Sequence, residues 1–202
     1  MIKTFYKPTS VEEALLLKEK HGHLAPWFAG GAYINHFDFK AHYDQVISLE
    51  GLGLHSIHSS TGRTAIGATV PFQKIVGHST IPEALRKAAQ QAAPRPVRNR
   101  ATIGGDIAIG GKKTHLTPCL IALHAEILTV DEKTIPIDDY LTQESKDLIL
   151  KVIIPADETA CIAEQVTLKS MGPVVTNVAV SIKRAEDNSV EKAVIAVGNL
   201  ED

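Results

Sequence analysis

The alternation of apolar and polar positions divides the chain into short helices and strands. In "TSVEEALLLKEKHG" the residues Val11, Ala14 and Leu15 fall on one face, Ser10 and Glu13 form a capping box, and Gly22 is a stop, so the spacing predicts a helix. The apolar runs "PWFAGG" and "QVISLEGL" read as strands, and the polar, aromatic-rich segment between them reads as a short helix. "TAIGATVPF", from Thr64, reads as a strand, and "TIPEALRKAAQQAAP" as a helix with Thr80 and Glu83 as its capping box and Pro94 as its terminator. "LTPCLIALHAEI" is apolar at Leu116, Cys119, Leu120 and Leu123, the pattern of a helix packed on a sheet with Pro118 in its first turn.

"ILTV", "LILKVIIP" and "ACIAEQVTL" are rich in β-branched residues and read as strands, with Asp131 and Glu132 in a turn between the first two. The last segment, "VVTNVAVSIKRAEDNSVEKAVIAVG", predicts a β-hairpin around "EDNS". A lone hairpin is marginal in water, so this one must pack on something. The fold class is therefore mixed α/β (α+β).

Composition narrows the chemistry. The chain has 202 residues, 44% of them hydrophobic, enough for one large domain or two small ones. Its 21 Lys and Arg against 23 Asp and Glu give a formal charge of -2, so the overall balance calls for no nucleic acid and no membrane. Any anion site has to be local. The only cysteines, Cys119 and Cys161, are far apart in sequence and lie in no CxxC, which excludes iron–sulfur and structural zinc motifs and leaves free thiols suited to a reducing compartment. The start of the chain has no signal-peptide apolar region and no long uncharged apolar run follows, so a soluble, cytoplasmic protein is expected. His21/His23 and His55/His58 lack a third ligand at metal-site spacing, and no nucleophile elbow occurs. No metal and no catalytic side chain is predicted.

Two bare glycine stretches remain. "RNRATIGGDIAIGGKK", Arg98 to Lys113, carries two Gly-Gly pairs between basic residues, and "WFAGGAYI", Trp27 to Ile34, carries another. Neither fits a Walker A loop: upstream of Gly111-Lys112 the required glycine is Asp106, and Lys113 stands where Ser or Thr belongs. No G-x-G-x-x-G fingerprint occurs. Spacing alone leaves two readings, a pair of tight turns or a pair of N–H nests converging on a diphosphate with the Thr102 hydroxyl beside them.

"ATIGGDIA" followed by "LTPCLIALHAEI", together with "FAGGAYI", resembles the signature of the FAD-binding subunit or domain of the xanthine dehydrogenase and carbon monoxide dehydrogenase family of molybdenum hydroxylases. "FYKPTSVEEALLL", "AIGATVPFQKI" and "VRNRATIGG" are similar to the same family's frame. The resemblance implies a two-subdomain PCMH-type FAD-binding fold. Residues 1–55 would form the N-terminal FAD-binding subdomain and 56–165 the second, with 166–202 a partial C-terminal β-hairpin unit. It also implies that the FAD pyrophosphate lies between Trp27, Phe28, Ala29, Gly30, Gly31, Ala32, Tyr33 and Ile34 on one side and Thr102, Ile103, Gly104, Gly105 and Asp106 on the other. Arg98 and Arg100 would add positive potential, and Lys169 is the candidate for the family's lysine near the flavin.

Three departures accompany the resemblance. Asp106 stands where Asn is usual, His115 aligns with an Asp that reaches the flavin, and "GGKK" replaces small residues, with Lys112 and Lys113 as candidate substitutes for lost contacts. The implied function is a flavin-dependent oxidoreductase subunit, xanthine dehydrogenase-like and inactive without its partners. It would relay electrons from an iron–sulfur subunit through FAD to an acceptor such as NAD, while a separate molybdopterin-binding subunit performs the hydroxylation. The alternatives are a flavin-fold subunit degenerate at the flavin site, acting in assembly or scaffolding, and an unrelated binding domain for a phosphorylated metabolite.

Overall fold

Helix α1 (Val11–His21) begins where Ser10 Oγ accepts the Glu13 N–H at 3.2 Å, and Glu13 Oε2 in return accepts the Thr9 N–H at 2.8 Å. The capping box thus forms with its return bond shifted one residue upstream. Gly22, at φ 56°, closes the helix as expected. Of the predicted apolar face, Ala14 is buried and Leu15 is exposed. α1 crosses over between two short strands, β1 (Thr4–Tyr6) and β2 (Trp27–Phe28), which flank β3 (Gln45–Ser48) in a parallel sheet of order β1-β3-β2. A small core of Ala14, Ala25 and Ile47 lies beneath α1. The computed structural model describes residues 2–35, 42–110, 114–144, 147–156, 159–168 and 174–198; most of the expected short helix before β3, and Lys112, Lys113 and Lys169, lie outside the described residues.

A second sheet, five-stranded and antiparallel, is built from β4 (Ile57–Ser60), β5 (Arg63–Gly67), β6 (Glu126–Thr129), β7 (Thr134–Pro136) and β8 (Ile149–Pro155) in the order β4-β5-β8-β6-β7. Its buried residues Ile66, Ile127 and Val152 share the main core with helices α2 (Phe72–Val76), α3 (Glu83–Gln91), α5 (Ile103–Ile109) and α6 (Thr117–Ala122). Two further short helices are α4 (Arg95–Arg98) and α7 (Ile137–Thr142).

At two places the chain departs from its local pattern. α3 starts at Glu83 behind Pro82, with no side-chain cap; the Thr80 hydroxyl instead accepts from Ser59 Oγ at 2.6 Å and pairs with His78 Nδ1 at 3.0 Å. Proline fixes its own φ and starts a helix unaided, so Thr80 is left outside it. The Asp131–Glu132 turn leads not into the next long strand but into β7, completing a short hairpin with Glu132 at φ 60°. α6 has Pro118 in its first turn and buries Leu116, Cys119, Leu120 and Leu123, as the pattern predicts.

The third sheet has order β11-β10-β9, from β9 (Ala160–Thr167), β10 (Val174–Arg184) and β11 (Val190–Gly198). The terminal hairpin therefore packs on this chain, and the expected division at residue 165 falls inside β9. Ala179 sits opposite both Ala163 and Ala196, a row of small side chains that lets α6 come close. Asn177 Nδ2 fastens β10 to the loop before α6 by donating to the carbonyls of Thr114 (3.0 Å) and His115 (2.8 Å). On the opposite face Ile162 and Ile195, both in register with Val180, are 65% and 70% exposed. Among the described residues no helix is long and apolar enough to cross a membrane.

Candidate functional site

The first glycine loop leaves the end of β2. A Cβ on Gly30 would sit 1.6 Å from the Arg100 carbonyl oxygen, so only glycine admits this approach, and Arg100 Nε donates to the Gly30 carbonyl at 3.0 Å. Gly31 has φ 66°, and the turn over 32–35 is closed by the Asn35 N–H on the Gly31 carbonyl. These contacts clamp the first loop onto the second.

The second loop enters α5 through Thr102, whose Oγ1 accepts the Gly105 N–H at 3.2 Å. The Ile103 N–H donates to Val70 O and the Gly104 N–H to Ala68 O, so the first turn of α5 spends its donors on the neighbouring segment. With its oxygen accepting from Gly105, the Thr102 hydroxyl still has its proton to donate.

Between the loops lies a cleft of about 830 Å³. Three parts of its wall follow strand ends of the first sheet: Lys7 follows β1, Phe28, Ala29 and Gly30 end β2, and Ser48 and Glu50 end β3. Ligands of parallel α/β sheets collect at the carboxyl ends of the strands, and this cleft sits there. The facing wall carries Asn99, Arg100 and Thr102. Phe5 and Phe28 meet edge to face, ring centroids 5.4 Å apart, at the apolar part of the cleft. Lys7 and Arg100 supply positive charge, and Glu50 supplies a carboxylate.

Of the residues singled out by sequence, Phe28, Ala29, Gly30 and Thr102 line the cleft, whereas Gly31, Ala32, Tyr33 and Ile34, the rest of the first loop, are not part of its wall. Trp27 packs with the small core beneath α1, with Lys18 Nζ 5.5 Å from its ring centroid. Ile103 is buried in the main core. A Cβ on Gly104 would fall 2.7 Å from Ala68 Cβ, and one on Gly105 would fall 2.8 Å from Thr102 Oγ1. Arg98 is used elsewhere, bonding Gln73 and the carbonyls of Gln90 and Ala93.

Asp106 is turned into the protein. Only 4% exposed, it accepts the N–H groups of His115 and Leu116 at 2.8 Å each, filling the space before α6. Burial raises its carboxyl above the ordinary carboxylate range, against the opposing pull of His115 and of the backbone donors. The His115 side chain lines a separate small cavity between α6 and the third sheet, beside Asn177 and Gln91. Lys7 and Asn99 fall inside family-like segments without being singled out, and Ser48 and Glu50 carry no motif; their one signal is position, at the end of a strand.

Residues 1–157 match the family model described as FAD binding domain in molybdopterin dehydrogenase. The uncharacterized protein YgfM of Escherichia coli (strain K12) is 35% identical over 182 residues, 90% of this chain and 70% of that protein. Carbon monoxide dehydrogenase from Hydrogenophaga pseudoflava, in a form lacking the Mo-pyranopterin moiety of the molybdenum cofactor, superposes with TM-score 0.86 at 24% identity, covering 98% of this chain and 75% of the matched one. Quinoline 2-oxidoreductase from Pseudomonas putida 86 superposes with TM-score 0.83 at 19% identity, covering 100% and 75%. At such identities these two structures establish the fold.

Proposed function

The chain belongs to the family of FAD-binding domains in molybdopterin dehydrogenases, and from that premise we propose that it is the FAD-carrying electron-transfer subunit of a molybdenum hydroxylase. It takes electrons from an iron–sulfur partner and delivers them to an acceptor such as NAD, while a molybdopterin-binding partner performs the hydroxylation. One observation carries the reading. The two glycine loops are locked together across a single cleft by the Arg100–Gly30 contact, and that cleft has a size and a donor set suited to a dinucleotide.

The residues present fit FAD. A volume of about 830 Å³ lies within the range of ligand pockets, roughly 300–1,000 Å³. Lys7 and Arg100 offset the charge of a diphosphate, and the planar fork of Arg100 has N–H donors beyond the one it gives to Gly30. The Thr102 hydroxyl donates one hydrogen bond from a fixed position, because α5 holds its oxygen. Glu50 suits sugar hydroxyls, which it would accept, rather than phosphate. Phe5 and Phe28 exclude water from the apolar end. FAD, when bound, supplies the redox chemistry; the chain binds it, orients it and sets the charge around it.

The test is visible absorbance of the purified protein during titration with FAD. One tightly held flavin per chain is the expected result. A folded chain that takes up no flavin, or that saturates with a simple phosphorylated metabolite instead, overturns the reading.

A further inference from the structure

Two thiols meet where α6 packs on the third sheet. Cys119, in the middle of α6, is 2% exposed and belongs to the main core. Cys161, the second residue of β9, is half-buried, sits opposite Ser181 of β10 on the inward row of the sheet, and packs against the same core. Neither cysteine is in a disulfide, and the Cys161 thiol lies near enough to Cys119 to hold its proton more tightly. Residues far apart in sequence are thus brought to one seam, where α6 packs on β9.

We propose that Cys119 and Cys161 form a thiol–disulfide site, closed by hydrogen peroxide, that staples α6 to the third sheet. The exposures assign the order of events. Peroxide reaches Cys161 first: the thiol gives up its proton, its sulfur attacks one peroxide oxygen, the O–O bond breaks, and the departing hydroxide takes that proton, leaving a sulfenic acid and one water. Cys119 Sγ then attacks that sulfur, the S–S bond forms, the S–O bond breaks, and hydroxide leaves with the Cys119 proton as a second water. Two thiols and one peroxide become one disulfide and two waters, the sulfurs losing two electrons and the peroxide gaining them. The adjoining Cys161 sulfur, and burial with it, hold the Cys119 thiol well above its ordinary pKa, which keeps it protonated and inert until its neighbour is oxidised.

The staple joins parts otherwise held by packing and polar contacts. β9 is tied to α3 by Lys87–Glu164 and by Gln165 on the Gln91 carbonyl. α6 is tied through Asp106 to α5, whose cap is Thr102 of the cleft. Oxidation would therefore fix the third sheet to the helical layer that carries one wall of the cleft.

The test uses the full chain, treated with hydrogen peroxide, unfolded, alkylated and weighed. Both cysteines should become resistant to alkylation, with a mass about 2 Da below the reduced chain. A proteolytic peptide pair joined through Cys119 and Cys161 should appear, and dithiothreitol should release it. In Cys161→Ser, Cys119 should stay alkylatable under the same treatment. Retention of both free thiols, oxidation of Cys161 to the sulfinic acid with Cys119 still free, or a bond between chains would each overturn the proposal.

Discussion

Arg100 and Gly30 hold each other twice: the Arg100 guanidinium donates to the Gly30 carbonyl at 3.0 Å, and the Arg100 carbonyl occupies the space a Gly30 side chain would need. The two loops at the cleft are therefore a single clamp. Gly30→Ala would place Cβ 1.6 Å from a backbone oxygen, which cannot swing aside as a side chain tip can, so the loops must part. FAD affinity should fall at least tenfold, about 1.4 kcal/mol, in an absorbance titration, with the second sheet still folded by circular dichroism. Unchanged affinity would show that the cleft does not depend on this contact.

Thr102 has two jobs that one pair of substitutions separates from mere packing. Thr102→Val keeps the shape but loses the acceptor that caps α5 and the hydroxyl proton facing the cleft. Chemical denaturation should show a loss of about 1 kcal/mol, the usual cost of removing an N-cap, and flavin titration should show weaker binding. Thr102→Ser restores both oxygen and proton and should recover both measurements.

Much of the fold was legible in short-range patterns, because caps, prolines and turn residues act over a few positions. Ser10 with Glu13, Gly22, Pro118 and the hairpin turn around Asp187 and Asn188 each do locally what their types suggest. Thr80 misled because Pro82, two residues on, already starts α3. β7 and α7 were missed because three and six residues carry too little periodicity. At the cleft, the glycines were visible but the atoms they make room for were not. Gly30 yields to Arg100 and Gly104 to Ala68, both protein atoms, where a bound diphosphate was the expected neighbour. Lys7 and Ser48 were illegible for a different reason: they enter the site only once β1, β2 and β3 align in parallel, which is a long-range event.

Ile162 and Ile195 flank Val180 on the uncovered face of the third sheet and form the centre of an apolar row. Apolar patches of this kind promote self-association and dye binding. The double substitution Ile162→Thr and Ile195→Thr keeps β-branched residues in the strands and removes no core contact, so stability should stay within about 0.5 kcal/mol. Binding of a hydrophobic dye to the folded chain should fall, and light scattering at high concentration should fall with it. A large loss of stability instead would mean that these side chains are buried in solution.

Asp106 joins α5 to α6 through a carboxylate that is only 4% exposed and accepts two backbone N–H groups. Asp106→Ala leaves both donors buried and unpaired, which should cost about 3 kcal/mol. The pH dependence is a separate test. Burial, the largest influence, raises the folded-state pKa above the ordinary value of 3.8, and the charge of His115 and the N–H donors counter it only in part. The folded chain then holds this proton more tightly than the unfolded chain. The stability that this proton contributes is fully present below pH 3.8 and is lost as the pH rises through the raised value. Asp106→Asn cannot titrate at this position. The stability of the wild-type chain relative to Asp106→Asn should therefore increase as the pH is lowered from neutrality towards 4, whichever is more stable at pH 7. Urea unfolding of both chains across that range measures the difference and cancels the other carboxylates; parallel profiles would mean that Asp106 keeps an ordinary pKa in the folded protein.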